Sequence, residues 1–430
     1  MSLSIIIMAA GQGTRMKSSS PKVLHKICGK EMLFHSINEA KKLSSDINVV
    51  LFHQADKVQK TMESYFEDVK YSLQDHINYP GTGGAVMAVR EINERVLVLN
   101  GDMPLVQAQS MARLTEIPAD VVMTAIRLND PSGYGRVVTD GESVVKIVEE
   151  KDASPNEKEI KTVNAGVYCF DGRFLAEFLP KLSNTNAQKE YYLTDLIELA
   201  VQNGKSVKWV EVTEEEFKGV NSKIDLADAE EIMCDRIRKK WMASGVTMRL
   251  PHTTYIDYDA TFIGECEVES HCVIKGKSII ENSAVKAGSI LEDAVMINSD
   301  CGPMARLRPK TKLTNTHIGN FVECKNARLD GVKAGHLSYL GDCTAEEGTN
   351  IGAGTITCNY DGVKKYETTI GKNVFIGSDT QLVAPVTLED NTMIAAGTTV
   401  TKDVTSGALA ISRTAQKEIA GFFDRFFGKK

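Results

Sequence analysis

Short apolar runs alternate with helical periodicity through the first half of the chain. Residues 4–8, 47–52, 96–100, 121–126 and 165–170 predict strands, rich in Val and Ile and bounded by turn residues. Between them, 32–43 and 191–202 carry apolar residues at helical spacing. Strands that alternate with helices predict an α/β domain with a mostly parallel central sheet. Over 225–243, Leu226, Ala229, Met233, Ile237 and Trp241 recur at helical steps with charges elsewhere, and Gly245 can end the run. That pattern predicts a single connecting helix.

Beyond it the period changes to six. Ile370, Ile376, Leu382, Leu388, Ile394 and Val400 recur without a slip, each preceded two positions earlier by Thr368, Val374, Thr380, Val386, Thr392 or Thr398. Upstream, Val273, Ile279, Val285, Leu291 and Ile297 repeat the same step. Six matches neither an α-helix nor ordinary strand alternation. It predicts a parallel β-helix of hexapeptide repeats, each hexad one face of a triangular coil, with coils stacked ~4.8 Å apart. The hexads break off between 301 and 369. Residues 414–430 read as helix-rich, and Phe422, Phe423, Phe426 and Phe427 favour packing on a neighbouring subunit or terminal disorder over contact with a membrane.

Composition narrows the function. Of 430 residues, 42% are hydrophobic and 25% charged, which describes a globular chain of two or three domains. Fifty Lys and Arg against 57 Asp and Glu leave a formal net charge of −7, the wrong footprint for a nucleic-acid binder. No apolar run approaches the ~20 residues of a membrane span, and the N-terminal stretch has no basic leader segment. Nine scattered cysteines without a CxxC pair point to reduced thiols and a cytoplasmic location.

Two places carry candidate chemistry. After the first strand comes Ala9-Ala10-Gly11-Gln12-Gly13-Thr14-Arg15-Met16, then Pro21-Lys22. A Gly-rich turn lets backbone N–H groups approach phosphate oxygens, and two cations beside it suit a triphosphate under attack. Met16 stands where a dinucleotide fingerprint has its third glycine. Asp102 follows the strand at 96–100, in the crevice where open α/β sheets bind ligands, and is a candidate ligand for Mg²⁺. An Asp there is more often a turn former. Gly81-Thr82-Gly83-Gly84 and Gly133-Tyr134-Gly135 read as further close-approach turns. In the interrupted repeats, His336 and Tyr339 lie among Arg306, Arg308, Lys325, Asn359 and Tyr360. A lone His is usually structural, but clustered cations beside a potential base suit a phosphorylated, amine-bearing acceptor.

The segments GTRM…PKVLH, PSGYGR, IVEEKDA, EYYLTD, GVNSK, ARLRP, KAGHLSYLGD and NIGAGTITCNYDG run from end to end of the chain. They resemble the family of bifunctional N-acetylglucosamine-1-phosphate uridylyltransferases / glucosamine-1-phosphate N-acetyltransferases. The resemblance implies a Rossmann-like α/β nucleotidyltransferase domain over 1–222, a linker helix over 223–243, and a left-handed parallel β-helix over 244–430 that carries acetyl transfer. It implies a cytoplasmic homotrimer that supplies UDP-N-acetylglucosamine for peptidoglycan and lipopolysaccharide, with UTP and acetyl-CoA as co-substrates, Mg²⁺ as cofactor and no nucleic-acid or membrane partner.

Residue by residue, the resemblance places Met8, Ala9, Ala10 and Gly11 along the nucleotide, with Gln74, Gly81 and Thr82 on the uracil. Arg15 and Lys22 would neutralise phosphates, and Gly135, Glu149 and Asn164 would hold the amino sugar. Asn100, Gly101, Asp102 and Asn221 would also bind the UTP or UDP-sugar, and Asp102 with Asn221 would bind Mg²⁺; the family usually has Tyr where Asn100 stands. The stretch from Gln74 to Gly81 is two residues longer than in familiar members. In the β-helix, His336 would be the general base and Glu323 would orient it. Arg308, Lys325, Tyr339 and Asn350 would bind glucosamine-1-phosphate. Ala353, Ser378, Ala396 and Arg413 would bind acetyl-CoA, with Asn359 and Tyr360 serving either ligand. The alternatives are a single-activity sugar-phosphate nucleotidyltransferase with a passive β-helix, and a non-catalytic scaffold. The scaffold would be expected to lose Lys22, Asp102 or Asn221, and all three are present.

Overall fold

A computed structural model describes residues 2–141 and 143–428. The chain divides into two compact units, Met1–Met233 and Cys234–Lys430. The helix Lys223–Ala243 runs through the boundary.

In the first unit the sheet order is Val207–Glu211, Val121–Arg127, Thr162–Asp171, Arg95–Asn100, Leu3–Ala9, Asp46–Leu51, Lys70–Leu73. Its neighbours run parallel except Thr162–Asp171, which is antiparallel to both strands beside it. Ile5, Ile6 and Ile7 are all buried, so both faces of the sheet are covered and the strand reads as a continuous apolar run. A hairpin of Arg136–Asp140 and Ser143–Val148 extends the sheet beside Thr162–Asp171.

Two sequence expectations are corrected here. The 81–84 segment is not a turn but the start of the helix Gly81–Met87. Its glycines do serve close approach, because a Cβ on Gly83 would come within 2.7 Å of Leu182 and 2.9 Å of the Tyr191 carbonyl. The helix expected over 191–202 begins only at Asp195. Backbone groups of 191 and 193 are turned instead to residues 80–83.

The second unit is the left-handed β-helix. One face stacks strands from Thr247–Met248 to Leu409–Ala410, and the other two faces share a larger sheet. Ile370, Ile376, Leu382, Leu388, Ile394 and Val400 are inside the coil, and Thr368, Thr380, Thr392 and Thr398 are buried near its corners. Corner residues such as Asn282, Asp293, Asn315 and Asn326 take positive φ, a region that Asn and Asp tolerate better than other side chains.

The upstream phase differs from the six-residue expectation. The buried residues are Ile274, Ile280, Val285, Leu291 and Met296, whereas Val273, Ile279 and Ile297 are only half-buried. From 267 onward strand partners there fall 16 or 17 residues apart, as in Val273↔Ile290 and Ile290↔Arg306, instead of the 18 seen at Gln381↔Thr399. Shortened coils shift the inward position by one. Of the helix-rich terminus, only Phe422–Phe427 is helical among the described residues, and it is exposed. Among the described residues no helix is long and apolar enough to cross a membrane.

Candidate active sites

In the first unit, the loop after Leu3–Ala9 brings distant residues together. Gly13 has φ +62°, and a Cβ there would meet the Lys22 side chain at 2.6 Å, so only glycine fits beneath Lys22. The Lys22 ammonium donates to the Asp102 carboxylate and, at 3.0 Å, to Asn221 Oδ1. Arg15 Nη2 donates to the same amide oxygen at 2.8 Å. Asp102 is held from two sides: Gly101 N–H bonds Met8 O at 2.8 Å, and Val220 N–H bonds the Asp102 carbonyl at 2.9 Å. A cation thus already sits where one carboxylate and one amide oxygen meet. That hard-oxygen pair fits a small divalent cation whose remaining ligands are phosphate oxygens and water. Among the described residues no group of three or more His, Cys, Asp or Glu forms a metal cage.

A cleft of about 420 Å³ opens beside this cluster, lined by Met8, Ala9, Ala10, Gly11, Lys22, Gln74, Gly81, Thr82, Asn100 and Asp102. The Gln74 amide donates to the Tyr79 and Gly81 carbonyls, both at 3.0 Å, which presents its own carbonyl oxygen as an acceptor. Two further lining residues, His76 and Glu190, had no role in the sequence reading. His76 stacks on Phe52 with ring centres 4.5 Å apart, a contact that only the fold creates. Asn100 Nδ2 donates to Gly166 O at 3.3 Å, a hydrogen bond open to a short amide. Another cleft, about 780 Å³ around Arg95, Asp120 and Arg173, contains none of the predicted residues.

Gly135, Glu149 and Asn164 form an adjoining cluster. Asn164 N–H donates to Gly135 O at 2.8 Å, and a Cβ on Gly135 would lie 3.4 Å from Glu149 Oε2. Thr194 Oγ1 donates to Glu149 Oε1 at 3.0 Å. Burial pushes the Glu149 carboxyl up, and the Thr194 hydrogen bond works against that. Asp195 is pushed up to about 6, first by burial and then by Glu149, Glu198 and Asp152.

In the second unit the candidates lie along two corners of one face. Leu337, beside His336, accepts from Gly354 N–H at 3.0 Å; Ala353 accepts from Asp379 N–H at 2.7 Å; Ser378 accepts from Gly397 N–H at 2.8 Å. Arg413 Nη1 closes the row on Ala396 O at 3.1 Å. His336, Ala353, Ser378, Ala396 and Arg413 therefore climb one corner. His336 is exposed, and its strand pairs it with Asn320. Asn350 lies on the same face as His336, one coil further on.

The cations gather at the next corner. Arg308 Nη1 donates to Glu323 Oε1 at 2.8 Å. Lys325 lies opposite Gly341, over which the Tyr339 ring folds. Lys365, which had no role in the sequence reading, joins them. Its ammonium is the largest influence holding Lys325 below the usual lysine range, with Arg308 adding to it and Asp342 opposing. Two adjacent ammonium groups and a guanidinium favour a dianion between them. Asp342, only 8% exposed, accepts from Asn326 at 2.7 Å and from the Asn359 amide. Beyond Asn359 the chain leaves the coil and returns through a Tyr360↔Lys365 bridge. The expected contact between Glu323 and His336 is not among the hydrogen bonds formed. Glu323 is bound to Arg308, the opposite charge one coil below.

Against known proteins, a family model described as MobA-like NTP transferase domain matches residues 5–141. One described as Bacterial transferase hexapeptide (six repeats) matches 367–402. A protein named Bifunctional protein GlmU from Wolinella succinogenes is 60% identical over 427 residues, covering 99% of each chain. Proteins of the same name from Nitratiruptor sp. and Campylobacter jejuni are 58% and 53% identical over 429 residues, covering 100% of each chain.

Proposed function

The chain belongs to the bifunctional GlmU family, and we propose that residues 1–222 carry its uridylyl transfer and 244–430 its acetyl transfer, with 223–243 as linker. It is an enzyme of UDP-N-acetylglucosamine synthesis with two transfer activities on small-molecule substrates. The observation that supports this division most is the presence of two complete clusters, one in each unit.

In acetyl transfer, the amine of glucosamine-1-phosphate attacks the thioester carbonyl of acetyl-CoA. His336 takes the amine proton, and CoA leaves with the sulfur electron pair. Arg308, Lys325, Lys365 and Tyr339 hold the sugar phosphate, with Asn350 nearby, while Glu323 sets Arg308. Ala353, Ser378, Ala396 and Arg413 follow the CoA along their shared corner, and Asn359 and Tyr360 close the pocket.

In uridylyl transfer, a phosphate oxygen of N-acetylglucosamine-1-phosphate attacks the α-phosphorus of UTP in line, and pyrophosphate leaves. Positioning and charge stabilisation suffice for that step without a side-chain nucleophile. Gln74, Gly81 and Thr82 hold the base, and Gly135, Glu149 and Asn164 hold the sugar. Arg15 and Lys22 bind phosphate oxygens. Asp102 and Asn221 would hold Mg²⁺, which when bound offsets phosphate charge.

The family setting supports a cytoplasmic homotrimer feeding cell-envelope polymers. Exposed Phe375, Met393 and Leu409, aligned by strand register on one face, support packing of the β-helix against further copies. The test uses the purified chain with glucosamine-1-phosphate, acetyl-CoA, UTP and Mg²⁺, following free thiol and pyrophosphate separately. Thiol should appear without UTP, and pyrophosphate only when the acetylated sugar phosphate is present. Pyrophosphate from N-acetylglucosamine-1-phosphate with no thiol release would return the chain to a single-activity nucleotidyltransferase.

A further inference from the structure

The EYYLTD segment, residues 190–195, has no role in the chemistry above, yet it touches both ends of the first site. Tyr191 N–H donates to Pro80 O at 2.8 Å, and Tyr191 O accepts from Gly83 N–H at 2.7 Å. Leu193 N–H donates to Thr82 Oγ1 at 3.0 Å. One residue later, Thr194 Oγ1 donates to Glu149 Oε1 at 3.0 Å. The near end is pinned by Asn186, whose Nδ2 donates to Glu190 O at 2.6 Å. Tyr192 is tied to Gln188 at 2.8 Å and, more loosely, to Asp152 at 3.4 Å. Leu193 and Thr194 are 1% and 4% exposed, so the segment is locked rather than draped over the surface.

We propose that residues 190–194 are a strap joining the nucleotide and amino-sugar subsites, with Thr194 the positioning residue that fixes Glu149. This rests on the uridylyl-transfer reading of the site. A nucleotide that orders residues 80–83 orders the strap through three hydrogen bonds, two between backbone groups and one to the Thr82 hydroxyl, and the strap then sets the carboxylate that meets the sugar. Thr194 acts through its hydrogen bond to Glu149. It supplies one donor to a buried carboxylate with acids around it: Asp152 on its own loop, Glu190 on the strap and Asp195 on the following helix. Tyr168 faces it from the neighbouring strand.

The experiment compares Thr194→Val and Thr194→Ser with the wild-type chain in initial-rate uridylyl transfer. Valine keeps the shape and removes the donor. Because a hydrogen bond to a charged group is lost, the KM for N-acetylglucosamine-1-phosphate should rise about tenfold, with kcat and the KM for UTP within about twofold. In the wild type, that sugar-phosphate KM should fall as UTP approaches saturation, and the fall should be lost in the valine variant. The acid limb of kcat/KM for the sugar phosphate should move to higher pH, since the donor favours the ionised carboxylate. Serine should restore all three. An unshifted KM in Thr194→Val, or a loss of kcat with both KM values rising together, overturns the strap. A wild type that releases no pyrophosphate overturns the reading of the site itself, and the strap with it.

Discussion

The two units place their chemistry by opposite means. In the α/β unit, Arg15, Lys22, Asp102 and Asn221 come from loops spread over two hundred positions of the chain, and they meet because several strands end at one edge of the sheet. No periodicity marks them. In the β-helix, spatial neighbours are residues one coil apart, as with Glu323↔Tyr339 and Tyr339↔Ile356. There a site is a column. Repeating inward positions are filled by buried, mostly aliphatic side chains out of reach of a substrate, so function collects at corners and where the repeat breaks. The loop carrying Lys365 is such a break: Ile356↔Gln381 spans 25 residues where a full coil takes 18. A solenoid sets function apart from scaffold within its sequence, whereas the α/β unit interleaves the two.

The sharpest way to test that separation is to remove one group from each site. His336→Ala should lower acetyl-transfer turnover by about 10²–10⁴-fold, the contribution of a positioned general base, and leave pyrophosphate release unchanged. A wild-type rate in His336→Ala together with a lost rate in Arg308→Ala would move the site to the cation corner. Asp102→Ala should lower uridylyl transfer by roughly 10²–10³-fold, the scale of losing one electrostatic stabiliser, and spare acetyl transfer. Parallel loss of both activities would show that Asp102 supports the fold.

The third prediction concerns how damage spreads. Leu382 lies inside a coil, with strand neighbours only at Thr357 and Val400. Leu382→Ala should cost about 2–5 kcal/mol, as buried leucines generally do. In a solenoid that loss is felt by adjacent coils first, so amide protection should fall around 356–358, 381–383 and 399–400 and persist at 256–274. Leu97→Ala, at the centre of the sheet, should lower protection across the whole first unit. Uniform loss throughout the β-helix after Leu382→Ala would count against nearest-neighbour coupling.

Much of this organisation is legible in the sequence, for physical reasons that also mark where it stops. The strand at Leu3–Ala9 announces itself because both faces of a covered sheet demand apolar residues. The strict hexads after 368 give the right inward face because every coil there keeps its length. Upstream, Val273-Ile274 and Ile279-Ile280 offer two apolar residues in a row, and composition cannot say which points inward once coils shorten. The Gly81 segment carries its turn signal into a helix, since glycine marks close approach whether the backbone turns or coils. His76 and Lys365 leave no local trace, and Thr194 is marked only as part of EYYLTD without a role, because Phe52, Lys325 and Glu149 become their neighbours only on folding.

The smallest expected effect is electrostatic and confined to the α/β unit. Asp195 opens the helix Asp195–Gln202, where the helix dipole favours a carboxylate. Burial and the charges of Glu149, Glu198 and Asp152 outweigh that, pushing its pKa from 3.8 to about 6. A carboxyl group raised on folding binds its proton more tightly in the native state. Its contribution is therefore most favourable below about pH 4, and it declines as pH rises from about 4 to about 6. Asp195→Asn removes the titration. The variant should equal the wild type in thermal midpoint near pH 4 and exceed it by a few degrees at pH 7, the shift discounted because the group is only partly buried. The two tryptophans, Trp209 and Trp241, fall in different units, so Trp209 fluorescence in a Trp241→Phe background reports on the first unit alone. The β-helix, read from Trp241 after Trp209→Phe, should show no difference at either pH. A midpoint for Asp195→Asn that falls below the wild type at pH 7 would mean that the helix dipole wins and the carboxylate is stabilising.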